Sequence, residues 1–299
     1  MQLIKNTEID FISKARITIF LSIGIILAGI ISLIINGGPN LSIDFKGGTV
    51  FQVSTEKSIS INQLRELLNE THLARSEITE ITGLNVNQEF RIKASSENAT
   101  TKTSDVILNV LSNYKPEIRS IENVGPKVGK ELRGQAITAI SLALLMLMIY
   151  IALRFDSFYS LGSVVAIIHD ILVTLGIFSL LNLEINLSIV AAFLTIVGYS
   201  LNDTIVIFDR FRENSQKDLK LSMNEMANLS LNQTLSRTVV TSLTTLIVVC
   251  ILYFLGGEVI KYFAFALIIG VIVGTYSSIF IASPFMLFVK SRMPTTEED

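Results

Sequence analysis

Tryptophan is absent from this chain of 299 residues, cysteine occurs once, histidine twice and proline five times. The lone Cys250 sits in an apolar run, so neither an intrachain disulfide nor a cysteine-held metal site is available. Without tryptophan, any aromatic belt at a membrane interface must come from the 17 Phe and 7 Tyr. Charge is scarce too: charged residues make up 17% and the net charge is -2. No basic surplus points to nucleic acid, and the useful signal is where the charges sit. A Walker A loop is missing, since Gly-Pro-Lys-Val-Gly-Lys at 125 to 130 has the wrong spacing, and no nucleophile elbow or metal-ligand motif suggests an enzyme. No cofactor, metal or catalytic residue is therefore expected.

Apolar residues are what the chain has in excess, at 50% of the sequence, with a mean hydropathy of +0.56. A soluble domain of this size is less apolar, so the sequence reads as an integral membrane protein. The first run, 17 to 35, follows Lys5, Lys14 and Arg16. It is too long for a signal-peptide core, and Asn36-Gly37-Gly38-Pro39 is no cleavage site, so an uncleaved anchor is expected. Further runs cover 136 to 153, 161 to 181, 185 to 208, 238 to 256 and 263 to 289. Each reaches or approaches the ~20 residues that cross ~30 Å of hydrocarbon.

Six spans put both termini on one side of the membrane. Arg154, Arg210, Arg212, Lys217, Lys220, Arg237, Lys290 and Arg292 fall with Lys5, Lys14 and Arg16, whereas the opposite short loops carry only Lys261. Positive residues mark the cytoplasmic side. The expected division is 1–36 (cytoplasmic N-terminus and first span), 37–135 (one domain on the far side), 136–290 (spans two to six) and 291–299 (cytoplasmic tail).

Within 37–135, Thr49 to Ser54 alternates as a strand, and Ile61 to Thr71 has helical spacing opened by Ser60 and Gln63, a capping-box pattern. Strands at Glu77 to Ile81 and Glu89 to Ala94 flank the turn signal Gly83-Leu84-Asn85. A helix at Ser104 to Leu111 and a strand at Glu117 to Asn123 follow. This β-α-β-β-α-β order is the split βαβ, or ferredoxin-like, arrangement.

Asp203 is the residue that asks for a function, because it lies inside the fourth span. A carboxylate at a helix centre costs at least about 2.5 to 3.5 kcal/mol on insertion scales, and such groups mark ion or substrate routes. Counting back from Arg210 at ~1.5 Å per residue places it roughly 10 Å inside. Ser188, Ala192, Thr195, Tyr199, Asn202 and Asp203 recur at threes and fours on one face, expected to look inward and support the carboxylate. The bland alternatives are hydroxyl satisfaction by Thr195 or Tyr199, or a wet position near the helix end. Arg237, which opens the fifth run beside Thr241, Thr244 and Thr245, is the natural counter-ion, although a lone Arg there also snorkels to lipid phosphate. His169 and Asp170 lie near the middle of the third span. Asp209, Arg210, Arg212 and Glu213 read as a solvated run at the membrane edge. Gly270, Gly274, Ser278 and Ala282, and Gly24, Ala28 and Ser32, read as packing seams.

Four motifs, in order along the chain, carry a resemblance: Ile43-Asp44-Phe45-Lys46-Gly47-Gly48-Thr49, Val124-Gly125-Pro126-Lys127-Val128-Gly129, Ile167-Ile168-His169-Asp170 and Val197-Gly198-Tyr199-Ser200-Leu201-Asn202-Asp203-Thr204. Together they resemble the SecD/SecF family of protein-export membrane subunits over nearly the whole chain. The resemblance implies half of a resistance-nodulation-division transporter in the bacterial inner membrane, paired with SecD to make twelve spans beside the SecYEG channel. The proton motive force would complete polypeptide translocation after the SecA ATPase has pushed the chain through, with YajC and YidC as candidate neighbours. It also implies a proton-coupling set of Asp203, the coupling aspartate, Arg237, its functional arginine, and the motif residue Asp170. Asp44, Gly47 and Gly48 form either a hinge or a Gly turn on leaving the membrane, and the backbone freedom of glycine favours the turn. The rival readings are a small-molecule or lipid exporter of the same superfamily, and a purely structural subunit that stabilises the channel.

Overall fold

A computed structural model describes residues 7–71, 73–74, 76–81, 88–94, 100–217 and 220–292. In chain order the elements are α1 (Phe11–Ile35), α2 (Ile43–Lys46), β1 (Gly48–Thr55), α3 (Ile61–Leu68), β2 (Glu77–Ile81), β3 (Gln88–Ala94), α4 (Thr100–Val110) and β4 (Pro116–Val124). Then come α5 (Pro126–Arg154), α6 (Ser157–Leu180), α7 (Leu187–Ser215), α8 (Met223–Leu255), α9 (Glu258–Ser277) and, after a π turn at Ser278–Ala282, α10 (Ser283–Lys290). Two compact units result: one holds the chain up to Asn40, Ala139–Gly256 and the chain from Ile260, the other Leu41–Thr138 with Gly257–Val259.

The second unit is a four-stranded sheet in the order β2-β3-β1-β4, and every neighbouring pair is antiparallel. β3 thus lies between β1 and β2, and β1 between β3 and β4, so each β-α-β pair is split by an inserted strand, as the sequence order suggests. β1 is buried along almost all its length, whereas β3, the other inner strand, alternates. Phe51, Val53, Phe90 and Ile92 of the sheet meet Leu64 and Leu68 of α3 and Ile107 of α4 in one core. The capping box is present: Ser60 N donates to Gln63 Oε1 at 3.1 Å and Gln63 N to Ser60 Oγ at 3.3 Å. The turn expected at Gly83-Leu84-Asn85 and the acidic end Glu297-Glu298-Asp299 lie outside the described residues.

Among the described residues, six helices are long and apolar enough to cross a membrane, by length and composition. They outrun the hydropathy: α5 starts at Pro126, α7 ends at Ser215 and α8 starts at Met223, because a polar helix continues beyond hydrocarbon when it is capped or packed. Ser222 and Glu225 form a capping box for α8. The start of α1 is tied to α8, with Asn228 Oδ1 accepting from Phe11 N at 2.9 Å and Ile12 N at 3.1 Å. Those are helix-end N–H groups with no partner inside their own helix.

Glycine sets the closest helix contacts. A Cβ at Gly29 would stand 2.5 Å from Gly176 Cα, and one at Gly270 would collide with Ile196. The seam on α9 is therefore as expected. That on α1 is displaced: Ala15, Ser22 and Gly29 are buried, whereas Gly24 faces open space and Ala28 is exposed. Of the three α1 residues singled out from sequence, only Ser32 joins α6, at 2.9 Å from Ser179 Oγ. Pro284 lies just past the π turn; lacking an N–H, it removes a bond that a continuous α-helix would need, and a π turn is one way a helix absorbs such an interruption.

Candidate functional site

Among the described residues of the helical unit two carboxylates are buried, Asp170 at 1% and Asp203 at 3% exposure, and their surroundings are opposite in kind. Asp170 of α6 is fully satisfied. Its Oδ2 accepts from Ser200 Oγ of α7 at 2.6 Å and Ser277 Oγ of α9 at 2.8 Å, and its Oδ1 lies 2.9 Å from His169 Nδ1. His169 Nε2 is 2.9 Å from Ser22 Oγ of α1, which is 3.0 Å from the Tyr276 hydroxyl, and Tyr276 donates to the Thr18 carbonyl at 2.6 Å.

Donor counting places the protons along this chain. Tyr276 spends its one proton on Thr18, so Ser22 donates to Tyr276; Ser22 must then accept, which puts a proton on His169 Nε2. A single proton remains between His169 Nδ1 and Asp170 Oδ1. The pair is either imidazolium with carboxylate or neutral imidazole with carboxylic acid, and it carries no net charge in either form. One network thus pins α1, α6, α7 and α9 together.

Asp203 of α7 faces α8, against which α7 packs. Its Oδ2 has no hydrogen-bond partner among the described residues, and neither do the Tyr199 hydroxyl, one turn before it, nor the Thr238 hydroxyl of α8. Arg237, through its charge, and Ser242, through its hydroxyl, are the groups of α8 that act on the Asp203 carboxyl. Ser242 is already engaged, donating to Thr238 O at 2.8 Å and lying 2.7 Å from Thr275 Oγ1. Arg237 is exposed and makes no ion pair among the described residues. A buried carboxyl left this way is costly when charged, and it is neutralised either by a proton or by an approaching cation.

The remaining residues singled out from sequence divide. Thr195 donates to its own Ala191 carbonyl at 2.8 Å, and Thr195, Asn202 and Ser188 are exposed, whereas Ala192 and Asp203 are buried. The inward face is therefore split, one side turned to α8 and the other uncovered. Neither Thr195 nor Tyr199 satisfies Asp203. Asp209 and Arg154 are 4.0 Å apart, and Glu213 binds Arg210 at 2.8 Å and Lys217 at 3.3 Å, an exposed run as expected.

Asp44 lies in α2, whose start is capped by Ser42 accepting from Asp44 N at 3.2 Å. Gly47 and Gly48 follow with φ of 78° and 144°, and a Cβ at Gly47 would stand 2.8 Å from Pro126 Cα. Both glycines adopt backbone conformations that other residues rarely reach, in a turn packed against the start of α5. Ser22, Ser200, Ser277, Tyr276, Thr238 and Ser242 were not singled out from sequence as site residues; small hydroxyl residues in apolar helices are too common to signal a site.

The family model described as "Protein export membrane protein SecD/SecF, C-terminal" matches residues 103–292, and "SecD/SecF GG Motif" matches 32–59, around Gly47 and Gly48. The chain is 41% identical to "Protein translocase subunit SecF" of Calditerrivibrio nitroreducens, over 97% of each. It is 40% identical to "Protein translocase subunit SecDF" of Thermus thermophilus, covering 87% of this chain and 36% of that one. The crystal structure of SecDF from Thermus thermophilus, titled a translocon-associated membrane protein, superposes with a TM-score of 0.88 at 37% identity, covering 98% of this chain and 40% of that one. With six apolar helices, the ordered export motifs and these matches, the chain belongs to the SecD/SecF family of protein-export membrane proteins as a multi-pass subunit of the Sec machinery.

Proposed function

We infer that this chain pairs with SecD in the bacterial inner membrane, beside the SecYEG channel, and converts the proton motive force into late movement of an exported polypeptide. One observation carries the reading: Asp203 is buried with a carboxyl oxygen that has no partner among the described residues, whereas the buried Asp170 is hydrogen-bonded at both oxygens. Asp203 has two ways to lose its charge. Protonation does so in place; approach of Arg237, one turn before Thr241 on α8, does so by pairing. Alternation between the two requires α7 and α8 to shift, which couples a proton to a conformational step. A charge crossing the membrane yields ~2.3 kcal/mol per 100 mV, so a few protons suffice to drive such a cycle.

Asp170 acts in this scheme as a positioning residue that holds α7 against α1, α6 and α9 while α8 moves. The uncovered polar face, Thr195 and Asn202 of α7 with Arg237 and Thr244 of α8, is the surface we assign to SecD. Support comes from the SecDF relatives, of which this chain matches 36% to 40% of the length, leaving the larger part to a partner such as SecD. Both termini are cytoplasmic on the short-loop charges, the domain at 37–135 is periplasmic and meets the emerging polypeptide, and the Gly47-Gly48 turn starts it. SecA, YajC and YidC act on the same pathway.

The test is proton-dependent late translocation of a secreted precursor in inverted vesicles containing this chain and SecD. Asp203→Asn, matched for complex level, is expected to abolish the proton-dependent phase. Full activity of Asp203→Asn leaves the structural-subunit reading in its place.

A further inference from the structure

On one side of the helical unit, α1, α6 and α10 leave a groove of about 500 Å³. Ile23, Ile168, Phe285 and Phe288 form its walls, while Ser22 and His169 of the polar network form its floor. All three helices belong to membrane-crossing segments, so the groove opens at hydrocarbon depth, with Ile23, Ile168 and Phe288 close to half exposed.

Two arginines mark one end. Arg292 follows Phe288 by one turn and holds its guanidinium 4.2 Å from the centre of that ring. Arg16 precedes Ile19 and Ile23 by three and seven positions, so it stands along the same stripe of α1, and it is exposed. Because α1 starts and α10 ends on the same side of the bundle, both guanidiniums lie towards the same end. No charged residue follows at the other end in α1, and α6 has none beyond Asp170.

We propose that the groove binds an acyl chain of an anionic phospholipid, with the phosphate held between Arg16 and Arg292. Position favours a lipid chain: the walls are apolar and open at hydrocarbon depth, where acyl chains are the surrounding medium. Charge favours an anionic headgroup, because paired guanidiniums recognise phosphate through parallel N–H donors. The floor supplies a reason for specific occupancy. Hydrocarbon lying over Ser22 and His169 keeps water from the one-proton pair that His169 forms with Asp170.

The absence of tryptophan makes a clean test. Phe285→Trp places the sole indole in the groove wall, and Phe254→Trp places it on α8, where Phe254 is 76% exposed. The full chain is reconstituted in phosphatidylcholine vesicles that contain rising mole fractions of brominated phosphatidylglycerol or brominated phosphatidylcholine, and indole quenching is read. At Phe285→Trp, the glycerol lipid is expected to half-quench at a roughly 25-fold lower mole fraction than the choline lipid, about fivefold for each arginine. Arg16→Gln and Arg292→Gln are each expected to remove about fivefold of that preference, and Phe254→Trp to show none. Equal quenching by the two lipids at Phe285→Trp means bulk lipid only and overturns the proposal; so does a preference that survives both arginine substitutions. No quenching at all means that something other than lipid fills the groove, and it overturns the proposal as well. Ile23→Trp, on the opposite wall, repeats the measurement should Phe285→Trp fail to fold.

Discussion

Replacing Asp170 by Asn and by Ala tests the proton count in the buried network, because the two substitutions differ in what they leave unpaired. Asn keeps every bond: its amide donates to His169 Nδ1, its carbonyl accepts from Ser200 and Ser277, and the Nε2 proton stays on Ser22. The cost is expected below about 1 kcal/mol, since no buried polar group is orphaned. Ala strands His169 Nδ1 and the Ser200 and Ser277 hydroxyls, each worth about 1–3 kcal/mol when a buried partner is lost. Ser277 recovers part of this through the Gly274 carbonyl, already 3.1 Å away. A net loss of about 3–5 kcal/mol is expected for Asp170→Ala. Unfolding of the full chain by dodecyl sulfate in mixed micelles, followed by circular dichroism, supplies both values. Equal destabilisation by Asn and Ala would refute the neutral-pair arithmetic, and a loss below 1 kcal/mol for Ala would show that the network holds nothing together.

Gly176→Ala is expected to cost about 1–3 kcal/mol, because overpacking forces α1 and α6 apart, whereas Gly24→Ala, facing open space, is expected to cost nothing in the same unfolding assay. Gly47→Ala combines a left-handed φ with a collision against Pro126 and is expected to raise proteolysis of the 37–135 domain; Gly37→Ala, with a similar φ but open space around it, should raise it less. At the start of α1, the Ser13 backbone N–H, and then Asn228, hold the Asp10 carboxyl below its usual value. A depressed value means stability present above the unfolded value near 3.8 and lost as pH falls below it. Hydrogen exchange of the first turn of α1 should therefore quicken on acidification in the native chain and be pH-independent in Asp10→Asn, apart from intrinsic exchange.

Signals confined to a few neighbouring residues were legible in the sequence. The Ser60–Gln63 capping box, the six apolar runs and the β-α-β-β-α-β order all depend on short-range pattern, and all appear in the fold. Helix ends were less legible, because hydropathy marks the hydrocarbon boundary and not the last hydrogen-bonded turn, as Met223 and Pro126 illustrate. The π turn at Ser278–Ala282 and the short α2 left no periodic trace. Asp203 stood out as a charge in an apolar helix. Its contrast with Asp170 did not, since that depends on Ser200, Ser277 and Ser22 arriving from three other helices. The choice of Gly29 over Gly24 as the packing glycine likewise depends on where α6 approaches.

Infrared difference spectroscopy of the assembled complex with SecD, across a pH titration, addresses most directly whether Asp203 takes up and releases the proton. The expected result is a carboxylic-acid carbonyl band that changes with pH in the native complex, vanishes in Asp203→Asn and persists in Asp170→Asn. A band unchanged by Asp203→Asn would contradict the assignment of Asp203 as the proton-handling group.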